Sequence, residues 1–427
     1  MLIEFSVSNF RSFRERQTLS MVAAPRLRKR ENVFKPELTG DKFPDLLKVA
    51  VIYGPNASGK SNLLKALGVV QKITFREPST RDIPLPISPF LFDPALADEP
   101  SVFELHFIHA GIRYQFDLAA TNERIVNEKL LAFPKGRESL LYERQHTAQG
   151  EIYSFGPQLK MGVSDDILDA WKKLTPPRLL FIAQAVANSS EELIPLKAPF
   201  EWLKSSSFSV LNGMDEMAAV AQRLAGKAEL HAKDIASFLR EVDVPISKIR
   251  TETIETLETR ANVELRLNNS VTEQDKSAPA PSKRNKTILT HKTALGEADL
   301  SYEDESEGTK NLIGFWLPWI TKNPSHGSDR LLVVDELDSS LHPKIVAALV
   351  EKHINSEIPS QLIFTTHDTH LMDAKLLRRD QFWITERDIN GATKLRSIHD
   401  FEGRDSEDIE KRYYEGRYRG LPFVKQR

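Results

Sequence analysis

The sequence predicts an α/β protein, a mixed sheet with an antiparallel β-subdomain and a helical insertion. Three observations carry that expectation. An apolar strand, VAVIY from Val49, runs into a glycine-bearing loop and then a helix. Two period-two runs, VFELHFI from Val102 and IRYQFDL from Ile112, meet at HAG and spell a β-hairpin. Further on, LLVVDE from Leu331, PKIVAALVEKHI, QLIFTTH from Gln361, HLMDAKLL and QFWIT from Gln381 alternate strand and helix with short connections. That alternation predicts a parallel sheet with right-handed crossovers, shared with VAVIY.

Taken in order, Leu2 to Val7 alternates like a strand, and NFRSF follows at Asn9 to Phe13. PRLRKR, Pro25 to Arg30, is a solvated basic loop or a nucleic-acid patch. The helix after the glycine loop carries Leu63, Leu64 and Leu67 on one side, and the proline-rich stretch Glu77 to Pro100 should be irregular. RIVNEKLLAF from Arg124 and SLLYER from Ser139 extend the antiparallel sheet. Asp165 to Trp202 turns helical, and Asp215 to Leu239 reads as a long amphipathic helical stretch, without the sustained heptads of a coiled coil. Asn268 to Asn285 is polar and reads as a disordered loop between strands VELRL and KTILTHK. The division expected is an N-terminal lobe 1–160, a helical insertion 161–258 and a C-terminal lobe 259–427.

Composition narrows the function classes. The 427 residues allow two to three domains or one large domain with insertions, and 40% hydrophobic with 28% charged residues is a soluble globular balance. No apolar run approaches the ~18 residues of a bilayer span, so no membrane partner is expected. The first residues, MLIEFSVSNFRSF, do not read as a signal peptide. Zero cysteines exclude disulfides and thiolate metal sites and suit a cytoplasmic location. A net charge of −2 argues against a chain-wide field for nucleic acid, while local basic patches keep DNA open as a partner.

The chemistry is concentrated in a few segments. YGPNASGKSN contains G-x-x-x-x-G-K-[ST] between strand and helix. Gly54 and Gly59 let consecutive N–H groups point inward at a phosphate, Lys60 reaches the β/γ oxygens, and Ser61 offers a hydroxyl to Mg²⁺. LLVVDE ends a buried strand in two acids: Asp335 suits the Mg²⁺ shell and Glu336 the attacking water of an ATPase. His367 ends the next strand and can contact the γ-phosphate or that water, or be structural.

Taken together, YGPNASGKSN, ESEGT at Glu305 to Thr309, VVDELDSSLH and IFTTHD resemble the Walker A, signature, Walker B with D-loop, and H-loop of ABC-type ATPases, in the branch that includes SMC, recombination-repair and OLD-family proteins. The resemblance covers roughly residues 1–70 and 300–420. It implies an ABC-type P-loop ATPase head in which Gly54, Pro55, Asn56, Ala57, Ser58 and Gly59, with Lys60, Ser61 and Asn62, hold ATP and Mg²⁺. NFRSF is similar to that branch's N-terminal motif, which places Arg11 near the phosphates. In the family the signature serine and glycine, here Ser306 and Gly308, close the site of a second subunit, so a homodimer or higher homo-oligomer is implied. ESEGT departs from the LSGG of transporters, and His342 stands where the D-loop usually ends in Asp. No Q-loop is clear; Gln184 is a candidate or a surface glutamine.

ESEGTKNL, DELDSSLHP, QLIFTTHDT, LRRDQFWITERD and GRYRGLPF bring the resemblance closest to compact ATPases of prokaryotic abortive-infection and anti-phage loci, RloA-like proteins and the PARIS-type ATPase. That implies a nucleotide-gated scaffold or sensor controlling a separate effector protein. The stretch after His367 is too short for the Toprim nuclease of OLD-family proteins. The alternative is an ATP-dependent DNA-binding repair or recombination ATPase, with PRLRKR and SKRNK as phosphate contacts.

Overall fold

The structure is a computed structural model and describes residues 1–40, 42–80, 82–189, 194–205, 207–210, 214–257, 281–320, 330–356, 359–372, 376–403 and 407–421. Two compact units divide the chain: Met1–Asn212 with Asn323–Arg427, and Gly213–Lys322.

The first unit opens with β1 (Leu2–Ser8) and β2 (Gln17–Ser20), a short pair β3 (Val33–Phe34) and β4 (Leu46–Leu47), then β5 (Val49–Tyr53) and α1 (Lys60–Thr74). An antiparallel meander follows: β6 (Ser101–His109), β7 (Ile112–Ala120), β8 (Ile125–Phe133), β9 (Ser139–Thr147) and β10 (Gly150–Phe155). β1 pairs with β6, which makes a seven-stranded sheet in the order β10-β9-β8-β7-β6-β1-β2. The helices α2 (Pro157–Gly162), α3 (Asp165–Leu174), α4 (Phe181–Ala187) and α5 (Ile194–Ser205) lead to β11 (Ser207–Val210).

The second unit holds α6 (Asp215–Lys227), α7 (Glu229–Glu241), an antiparallel sheet of β12 (Ile246–Leu257), β13 (Pro281–Thr293) and β14 (Gly296–Ser301), and α8 (Glu307–Ile320). Three expectations change here. The stretch from Asp215 is two helices, because Ala228 is extended and interrupts the hydrogen-bond ladder. The expected helical segment 161–258 ends in a strand, β12. Of the polar stretch Asn268 to Asn285, expected as a loop, the described residues 281–285 belong to β13, where pairing with β12 continues outward from the apolar Ile288 and Leu289. VELRL and residues 268–280 lie outside the described residues.

The chain then returns to the first unit with β15 (Arg330–Val334), α9 (Pro343–Ile354), β16 (Ser360–Thr365), β17 (Phe382–Arg387), β18 (Thr393–Ser397) and α10 (Ile409–Tyr414). The second sheet runs β11-β15-β16-β5-β17-β18, parallel throughout except for β18. HLMDAKLL does not form the expected helix in its described part: a 3-10 turn spans Thr369–Met372, and residues 373–375 lie outside the described residues. The Thr366 hydroxyl accepts from Asp368 N (2.9 Å) and the Asp368 carboxylate from His370 N (3.0 Å), so side chains take the amides that a helix would use.

One core joins the two sheets of this unit. Phe5, Phe103 and Phe116 of the antiparallel sheet, Leu63, Leu64 and Leu67 of α1, Ala50 and Ile52 of β5, and Trp171, Phe181 and Trp202 of α3 to α5 all belong to it. Trp202 stacks on Phe107 with ring centroids 4.0 Å apart and an interplanar angle of 6°. Glu128 is fully buried beside Arg144 and accepts from Tyr142 Oη (2.7 Å) and from the Phe181 (2.8 Å) and Ile182 (3.1 Å) amides at the start of α4. A buried carboxylate there needs its donors, since an unpaired one is strongly destabilising.

The back of the parallel sheet is set by α9. Lys48 Nζ donates to Ile354 O (2.5 Å), and His353 Nε2 donates to Ser360 O (3.1 Å). Burial of His353 lowers its pKa from 6.5 to about 4. The unfolded chain therefore takes up the proton first, so this stabilisation is complete above 6.5 and is lost as pH falls towards 4. Between about pH 7 and about pH 4.5 the loss from this group amounts to about 2 kcal/mol, and His353→Gln should flatten that part of the unfolding free energy measured by urea titration.

Candidate functional site

The loop after β5 needs backbone that side chains resist. Gly54 has φ 149° and Gly59 φ 104°. A Cβ on Gly54 would lie 2.5 Å from Thr385 O, and one on Gly59 would strike Thr393 Oγ1 and lie 2.9 Å from Ser12 Oγ. Ala57 is also left-handed, at φ 62°. Neighbouring hydroxyls hold this shape. Ser58 Oγ and Thr385 Oγ1 are 2.6 Å apart, Thr385 Oγ1 donates to Tyr53 O (3.2 Å), and Thr393 Oγ1 donates to Ser58 O (2.9 Å).

Lys60 is buried, and its Nζ donates to Gly54 O (2.8 Å) and Pro55 O (3.3 Å) inside its own loop. Burial lowers its pKa, while the carboxylates of Asp335, Glu336 and Asp338 pull it back up, so the acids after β15 and the loop after β5 share one electrostatic site. Ser61 follows, half-buried, and Asn62 Nδ2 donates to Ser12 Oγ (2.9 Å). Ser12 Oγ and Thr393 Oγ1 are 2.7 Å apart, and with the Thr393 proton on Ser58 O the Ser12 hydroxyl is the donor of that pair, while Thr393 N donates to Ser12 O (2.7 Å). The NFRSF segment is thereby fastened to the loop, and Arg11, exposed and left-handed at φ 51°, is carried beside it.

At the end of β15 one threonine serves both acids. Thr365 Oγ1 donates to Asp335 Oδ1 (2.6 Å) and accepts from Glu336 N (2.7 Å). Glu336 has φ 51° and an exposed side chain, a strained backbone of the kind found where geometry is imposed for function. Asp338 Oδ2 accepts from His367 N (3.2 Å), and its buried Oδ1 has no partner among the described residues. His367 itself is exposed at the end of β16, between β15 and β5.

Oxygen donors at Ser61 and Asp335 suit Mg²⁺, and the left-handed backbone at Gly54, Ala57 and Gly59 suits a loop that turns its N–H groups towards a phosphate. Ser306 and Gly308 lie in the second unit. There Ser306 Oγ accepts from Thr309 N (3.2 Å) at the start of α8, and Glu305 Oε1 accepts from His291 Nε2 (2.6 Å). His342 is a cap: its Nδ1 accepts from Lys344 N (3.2 Å). Gln184 is buried, so it is no surface glutamine. Ser12, Thr365, Thr385 and Thr393 were not singled out by motif; the signal they left was a hydroxyl at the end of a strand or in the segment before one.

No helix among the described residues is long and apolar enough to cross a membrane. Among curated proteins none matches the chain. Two solved structures are similar over most of their length: the SMC head bound to the C-winged helix domain of ScpA, 12% identical, covering 93% of this chain and 97% of that one at TM-score 0.41, and the SMC head domain from Thermotoga maritima, 15% identical, covering 93% and 98% at TM-score 0.40. A family described as "AAA domain, putative AbiEii toxin, Type IV TA system" matches residues 49–151 and 183–373, a span that holds the phosphate loop, both acids and His367. With well over half its length matched, the chain belongs to that AAA-domain family of P-loop ATPases.

Proposed function

We propose that this P-loop ATPase is of the ABC type and acts as a nucleotide-gated scaffold or sensor in a prokaryotic anti-phage system of the RloA-like or PARIS-like kind, controlling a separate effector. The observation that carries the ATPase part is the convergence of Lys60 with Asp335 and Glu336. The AbiEii description of its family supports the abortive-infection setting.

In this reading the amides of Gly54 to Gly59 take the phosphates, and Lys60 moves from its own loop's carbonyls onto the β/γ oxygens. Ser61 and Asp335 hold Mg²⁺, which offsets phosphate charge. Glu336 orients the attacking water, with Thr365 fixing the strand end from which it projects. His367 contacts the γ-phosphate, and Arg11 and Asn62 flank the nucleotide. Ser306 and Gly308 close the site of a second copy, which makes the working unit a cytoplasmic homodimer or larger assembly. Catalysis is positioning and charge stabilisation.

A second reading, a DNA-binding repair or recombination ATPase, is favoured by one observation: Arg26, Arg28 and Arg30 are exposed on one loop, with Lys29 tied back to Leu377 O (2.8 Å).

Lys60→Ala should weaken ATP binding by at least about tenfold in a titration with a fluorescent analogue. Glu336→Gln should keep binding and lower phosphate release by on the order of a hundredfold. Normal binding in the first variant or normal turnover in the second overturns the site. With ATP, Glu336→Gln should also double in mass by light scattering, and adding Ser306→Ala should return it to the monomer. For the scaffold, the neighbouring gene's product should copurify in one nucleotide state; ATP-dependent, salt-sensitive duplex binding, lost on replacing Arg26, Arg28 and Arg30 with alanine, would favour the second reading instead.

A further inference from the structure

A cavity of about 840 Å³ opens at the carboxyl edge of the parallel sheet, lined among others by Asn56 and Ser58 of the phosphate loop, by His367, and by Glu386, Arg387 and Arg419. Its charges are not equally committed. Glu386 is 3.6 Å from Arg396 and 3.7 Å from Arg419, so those two cations share one carboxylate. The guanidinium of Arg387 is exposed and has neither an acidic partner nor a hydrogen bond among the described residues.

Its mount is rigid. Arg387 ends β17, two residues after Thr385, so the two share a strand face, and Thr385 is the residue that meets Ser58 Oγ at 2.6 Å. Across the hairpin Arg387 pairs in register with Thr393, whose hydroxyl donates to Ser58 O (2.9 Å). The strand end that braces the phosphate loop therefore also delivers an uncommitted cation to the loop's open side. Arginine is the side chain best matched to phosphate oxygens, through its planar fork of donors.

We propose that Arg387 is a further phosphate-binding cation of the nucleotide site, directed at the terminal phosphate, and that it sets the preference for a nucleoside triphosphate over a diphosphate. This rests on the reading of the loop as an ATP site with His367 at the γ-phosphate, because His367 and Arg387 face the same cavity. Lys60, on the β/γ oxygens, acts on both nucleotides through the β-phosphate they share, and Arg387 only on the phosphate that the triphosphate adds.

The test compares ATP and ADP binding by calorimetry to the full chain, its Arg387→Ala, Arg387→Lys and Lys60→Ala variants. Arg387→Ala should weaken ATP by about 10- to 100-fold and ADP by less than about threefold, and Arg387→Lys should restore part of the ATP affinity. The thermal midpoint without nucleotide should not move, since the side chain has no partner among the described residues to lose. Equal weakening of both nucleotides, or no change in either, overturns the proposal. If Lys60→Ala loses ATP while Arg387→Ala does not, only this inference falls; if Lys60→Ala binds normally, the underlying site falls with it.

Discussion

The phosphate loop exists because strand-end hydroxyls hold it open. A loop that aims consecutive N–H groups inward must pass through left-handed backbone at Gly54, Ala57 and Gly59, and such backbone persists only when its surroundings over-determine it. Here the surroundings are Thr385 and Thr393, which grip both the side chain and the carbonyl of Ser58, and Ser12, which grips Asn62 and Thr393. Each bond contributes about 1 kcal/mol. Together they leave the loop one conformation to occupy, and a pre-shaped loop does not spend phosphate affinity on ordering itself.

The same economy of polar contacts ties the chain's beginning to its end. Gln361 at the start of β16 receives Leu2 N (2.6 Å) and donates to Leu2 O (2.9 Å), which fastens the antiparallel sheet to the parallel one. Asn32 Nδ2 donates to Gln381 Oε1 (2.7 Å), and Ala24 N to Asp380 Oδ2 (2.7 Å). Asp380 also holds the buried Arg378 through two bonds, of 2.9 and 2.7 Å. LRRDQFW is thus a seam between segments remote in sequence, and its charges are internal.

Much of this was legible before any coordinates. Period-two alternation located β1 and β6 to β9, and apolar runs ending in chemistry located β5, β15 and β16, because burial imposes those patterns directly. What escaped had a different origin. Gly226 and Lys227, just before the extended Ala228, are a helix-stop signal that the apolar periodicity of the whole stretch outweighed. The polar 281–285 of β13 pairs because its neighbours do, a cooperative effect that composition does not carry. The short turn at Thr369 follows from side chains capturing amides, which a helix-period reading overlooks. At the candidate site, Lys60, Asp335 and Glu336 stand out by motif and the hydroxyls around them do not, since threonine in or beside a strand is common and only the sheet order brings Thr365, Thr385 and Thr393 to one edge.

That sheet order has a consequence for biosynthesis. β5 lies between β16 and β17, so the strand that launches the phosphate loop has no neighbour in its sheet until residues more than three hundred positions later have been made. Both threonines that grip Ser58 come from the same late segment. A chain still emerging from the ribosome carries the complete loop sequence without the partners that shape it, whereas the antiparallel meander of β6 to β10 is local and can form early. The nucleotide site is therefore among the last features of the molecule to mature, and a prematurely terminated chain lacks the hydroxyls that hold the loop in shape.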